Sequence, residues 1–80
     1  MKLKEIIENY PDEQFCVADG FNKAIIGFEP NSMKIVYSIE KCIKILQNDM
    51  SEEEAIEYFE FNVLCAHVGD RTPIYVNTQI

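Results

Sequence analysis

The sequence has no tryptophan, one histidine, three glycines and three prolines in 80 residues. A lone histidine, His67, supplies no pair of imidazole ligands. Neither an H-E-x-x-H helix nor a Cys-x-x-Cys pair occurs, so no recognised metal-ligand spacing is present. Cys16, Cys42 and Cys65 are odd in number and widely spaced, which fits free thiols in a reducing compartment better than a disulfide framework. There is no phosphate-binding glycine loop and no nucleophile set beside a base. These absences predict a protein that is not an enzyme, with no metal and no cofactor.

Long hydrophobic runs are missing too. None approaches the roughly 20 residues of a membrane span, and Met1-Lys2-Leu3-Lys4-Glu5 lacks the apolar stretch of a signal peptide. The expectation is a cytoplasmic protein with no membrane partner. Positive charge is scarce: seven Lys and Arg stand against 14 Asp and Glu, for a net charge of -7. Residues 1–48 carry seven acidic and six basic groups, whereas residues 49–80 carry seven acidic groups and only Arg71. Phosphate contacts rely mainly on Lys and Arg, so direct nucleic-acid binding is disfavoured. A partner with a basic surface fits the charge better.

A hydrophobic fraction of 48% and an aromatic fraction of 11% belong to a folded chain, read here as one α+β domain over residues 1–80. Its clearest element starts at Ser51. Ser51 and Glu54 have the spacing of a capping box, and Glu52 and Glu53 favour the positive end of a helix dipole. Ala55, Ile56, Phe59, Val63 and Ala66 share one face, and Gly69 ends the helix after about four turns. Glu53, Glu57 and Glu60 flank that face. Phe61, Cys65 and Val68 form a second apolar side, with Tyr58 and Leu64 beside it, which another element or another chain should cover.

Upstream, Leu3, Ile6, Ile7 and Tyr10 have helical spacing before Pro11, and this short helix is one candidate to cover the second side. Phe15-Cys16-Val17-Ala18 is a possible additional strand. Asp19-Gly20-Phe21-Asn22 has two readings: a recognition turn that presents Phe21, or a turn that returns Phe21 to the core. Ala24–Phe28 and Met33–Tyr37 read as a hairpin, with Ile35 and Tyr37 on one face and Lys34 and Val36 on the other. Ser38 caps a helix striped by Ile39, Cys42, Ile43 and Leu46. Pro73 precedes a last strand, Ile74-Tyr75-Val76. The expected fold is a small antiparallel or mixed sheet of three to four strands. Two main helices and a short N-terminal helix pack on it.

Several of these segments, in this order, resemble a family of short uncharacterised proteins common in bacteriophage genomes. They are Asp19-Gly20-Phe21 with Ala24-Ile25-Ile26-Gly27, Val36-Tyr37-Ser38 with Lys41-Cys42-Ile43, Met50 to Val63, and Val68-Gly69 with Thr72 to Val76. The resemblance implies a phage or prophage origin and action by binding a host protein. In that family the position of His67 is more often aromatic, which argues against an acid-base role. The expected function is a small interaction module in the host cytoplasm, acting as an anti-defence inhibitor or an acidic nucleic-acid mimic. Glu52, Glu53, Glu54, Glu57 and Glu60 would face a basic surface, with Tyr58, Phe61 and Phe21 as anchors. The alternatives are a homodimer through Phe61, Cys65 and Val68, or a small-ligand-binding protein.

Overall fold

Side chains alternate along Lys34–Ser38, so Ile35 and Tyr37 share a face, and both are fully buried. In the structure, a computed structural model that describes residues 3–64, 69 and 71–78, this segment is β2, the centre of a three-stranded sheet. β1 (Ile25–Glu29) lies antiparallel on one side, and β3 (Ile74–Val76) lies parallel on the other. Ile25 faces Tyr37 while Gly27 faces Val36, so Ile26 is an extra residue and β1 carries a bulge. In the hairpin loop, the Glu29 carboxylate accepts from the backbone N–H and hydroxyl of Ser32, at 2.7 and 2.8 Å. Those bonds hold its carboxyl below the usual range.

A parallel β2–β3 pair requires a long crossover, and the two main helices supply it. α2 (Ile39–Leu46) starts where the Ser38 hydroxyl accepts from the Lys41 N–H at 3.3 Å. Ser38 is buried, and its hydroxyl also lies 3.0 Å from that of Thr78. The backbone N–H and hydroxyl of Thr78 both donate to Glu40, which ties the chain after β3 to the first turn of α2. α3 (Glu52–Tyr58) has the expected capping box: the Glu54 N–H donates to the Ser51 hydroxyl at 3.2 Å, and the Ser51 N–H to the Glu54 carboxylate at 3.3 Å.

Beyond Tyr58 the expected α-helix becomes a π-helix, Phe59–Leu64. Ala55, Phe59 and Val63 form the buried line across both segments, whereas Ile56, expected on the core face, is 37% exposed. The core reaches this level of the helix at Ala55, and Ile56, about 100° further round, is turned off the line that Ala55 shares with Phe59 and Val63. Cys65, Ala66, His67 and Val68 lie outside the described residues. Gly69 has a φ of +115°, a conformation that favours glycine.

α1 (Leu3–Asn9) buries Ile6 and leaves Ile7 exposed. The Tyr10 and Phe15 rings gather on Phe28 of β1, with centroids at 4.9 and 5.3 Å. These contacts place the end of the N-terminal helix at the β1 side, and of the expected second side of the long helix the described residue Phe61 is 75% exposed. Residues 13–18 form no strand, contrary to the reading of Phe15–Ala18. Side chains meet their backbone instead: the Tyr37 hydroxyl accepts from the Ala18 N–H at 2.8 Å, and Arg71 donates to the Gln14 carbonyl at 3.0 Å.

Tyr75 joins the sheet to the helices, stacked on Tyr37 at 5.5 Å and edge-on to Phe59 at 5.4 Å. Cys42 is fully buried beside this group. Burial pushes the Cys42 thiol up to about 12, and it does the same to the Tyr75 phenol, helped by the charges of Tyr37 and Cys42. The folded chain thus keeps protons that the unfolded chain releases from its ordinary values of 9.0 and 10.0. Stability should be complete below pH 9.0 and fall as pH rises through about 12. Urea midpoints measured at stepped pH values check this, and a flat alkaline profile would contradict it.

Candidate protein-binding surface

The Asp19-Gly20 turn makes the first wall of a concave surface. Gly20 takes a φ of +89°, and the chain then closes with the Phe21 N–H on the Ala18 carbonyl at 3.1 Å. A short 3₁₀ turn, Asn22–Ala24, follows. This path carries Phe21 into the core, where it is only 8% exposed. Phe21 is therefore not the protruding anchor of the recognition-turn reading. The bulky ring gains more from the apolar interior than from water, and the turn leaves Asp19 at the surface instead.

The second wall comes from the α2–α3 connection and the helix beyond it. The Asn48 N–H bonds to Ile45 and the Asp49 N–H to Leu46, so α2 finishes in a tightened turn with Asp49 exposed. Tyr58 ends α3 at 45% exposure, and Asn62 follows four residues later on the π-helix. π-turns are frequent at functional sites because they re-aim side chains that a regular helix would space differently.

Two hollows meet between these walls. The inner one, about 410 Å³, is lined by Asp19, Phe21, Asp49, Tyr58, Asn62 and Tyr75, among others. The outer one, about 470 Å³, is lined by Asp49, Met50, Glu54, Glu57, Tyr58, Phe61 and Asn62. Asp49, Tyr58 and Asn62 belong to both, so the hollows form one surface. Among the described residues, four carboxylates line it, from Asp19, Asp49, Glu54 and Glu57, and no Lys or Arg does. Their fields add within a Debye length of about 8–10 Å. Arg71 is engaged elsewhere, 2.8 Å from Glu13 at a third hollow.

Of the residues proposed from the sequence, Glu54, Glu57, Tyr58 and Phe61 come together at the outer hollow, Tyr58 is shared with the inner one, and Phe21 lines the inner one from within the core. Glu53 and Glu60 are exposed but line neither hollow, and Cys65 and Val68 lie outside the described residues. Sequence reasoning missed Asp19, Asp49 and Asn62. Asp19 sits in the turn read there and Asp49 in the connection between α2 and α3, and only the tertiary approach of those loops reveals their shared surface. Among the described residues, no group of three or more His, Cys, Asp or Glu could hold a metal ion. No helix of the described residues is long and apolar enough to cross a membrane. No protein-family model, curated protein or solved structure matches the chain.

Proposed function

We propose that this chain is a small phage-type interaction module that binds a basic surface of a host protein in the cytoplasm. The supporting observation is the joined pair of hollows, lined among the described residues by four carboxylates and the exposed rings of Tyr58 and Phe61, with no Lys or Arg. Aromatic anchors inside a charged rim are the usual composition of a binding hot spot. The resemblance to phage proteins adds a reason to look for the partner in a bacterial host. An inhibitor that occupies the nucleic-acid groove of a defence protein is the sharpest form of this reading.

The test is partner capture from host lysate at low and high salt, with wild type and the Glu57→Lys variant. Glu57 is exposed and, among the described residues, makes no hydrogen bond or ion pair, so the capping box at Ser51 and Glu54 stays intact. Capture by the wild type should fall with salt, and the variant should bind the same partner at least about tenfold more weakly, as expected for charge reversal at a complementary interface. Capture that is indifferent to both salt and charge reversal would overturn the proposal.

Self-association is the second reading, favoured by the 75% exposure of Phe61. A two-fold contact centred on Phe61 would place the acidic flank of one copy against its equivalent, and like charges oppose that pairing. Light scattering at low salt separates a monomer from the dimer.

A further inference from the structure

The inner hollow differs from the outer in its walls. Tyr58, Tyr75 and the buried Phe21 are its aromatic lining residues, and Val17, Ile45, Leu46 and Val63 add to the apolar lining. Its polar groups are few: Asp19 from the turn, Asp49 from the linker and Asn62 from the π-helix, on three different parts of the chain. Neither aspartate carboxylate has a hydrogen bond or ion pair with another described residue. A volume of about 410 Å³ is near the lower end of the roughly 300–1,000 Å³ of ligand sites, a size for one long side chain rather than a helix.

We infer that the inner hollow receives an arginine side chain of the partner, an assignment that rests on the interaction-module reading above. The match is one of charge and shape. A guanidinium is planar and weakly hydrated, so it can lie against a tyrosine ring, and its five N–H donors can reach carboxylates on separate elements. Lysine offers a compact, strongly hydrated charge that uses such a flat, divided site less well. An apolar anchor would leave Asp19 and Asp49 facing it without a counter-charge. The outer hollow, with Glu54 and Glu57, then meets the basic residues that flank that arginine.

The probe is N-acetylarginine amide, titrated into the full chain and followed by amide NMR, with N-acetylcitrulline amide and N-acetyllysine amide alongside. Citrulline keeps the shape and loses the charge. The arginine probe should shift the amides of Asp19, Gly20, Phe21 and Asn62 with a dissociation constant on the order of millimolar, as fits one side chain. The lysine probe should bind more weakly, and citrulline should leave these amides unmoved. The Asp19→Asn, Asp49→Asn double variant should weaken the arginine probe by about tenfold while its thermal unfolding stays unchanged, since both side chains are on the surface. Equal shifts from citrulline, or arginine shifts confined to Glu54, Glu57 and Phe61, would overturn the assignment and leave the lysate result standing. No shift from any probe would also overturn it. Failure of the interaction-module reading is read separately, in the salt and charge-reversal response of partner capture.

Discussion

Phe59→Ala should come close to unfolding the domain, while Phe61→Ala, two residues away, should leave its stability within about 0.5 kcal/mol. Phe59 is 1% exposed and stands edge-on to Tyr75, where the α-helix passes into the π-helix. Truncating a buried phenylalanine costs about 3–5 kcal/mol, from lost transfer energy and the cavity left behind. At roughly 0.05–0.15 kcal/mol per residue, a chain of this size has only about 4–12 kcal/mol in total. Phe61 is 75% exposed, so its ring contributes little to folding. It lines the outer hollow, and its loss should appear in partner capture instead. Urea unfolding of both variants checks the contrast. Equal destabilisation would mean that Phe61 is covered within the chain, and the outer hollow would cease to be a binding surface.

That contrast also marks how far the sequence could be read. Elements specified by neighbours along the chain were legible: the Ser51–Glu54 capping box, the Ser38 cap, the alternation of Ile35 and Tyr37, and the strand after Pro73. Each is signalled by residues within a few positions of one another. The π-helix was not legible, because Phe59–Leu64 has the apolar content of an ordinary helix and no local signal that sets its wider turn apart. Phe15–Ala18 has strand composition, yet its Ala18 N–H donates to the distant Tyr37 hydroxyl, and the Gln14 carbonyl just before it accepts from Arg71. The candidate surface shows the same division. Glu57, Tyr58 and Phe61 share one helix and could be grouped from spacing, whereas Asp19 and Asp49 join them only through the fold.

Tyr37→Phe should link stability to binding through a residue that touches no partner. The substitution keeps the ring, its burial and its stacking on Tyr75, and it removes one oxygen. That oxygen accepts the Ala18 N–H at 2.8 Å across 19 residues of chain. Leaving a partly buried donor without its acceptor costs about 1–2 kcal/mol, within the range for unsatisfied backbone groups. The cost falls on the segment that leads into the Asp19-Gly20 turn, because Ala18 itself lines the inner hollow. Hydrogen exchange at the Ala18 amide should therefore accelerate, and partner capture should weaken at temperatures where circular dichroism still reports a folded chain. Unchanged exchange would mean that the Ala18 N–H finds another acceptor, and the turn would not depend on the sheet. If exchange accelerates and capture does not change, the wall formed by residues 17–21 is not part of the binding surface. The pairing of these two readouts distinguishes a hollow that the core holds in shape from one that merely lies beside it.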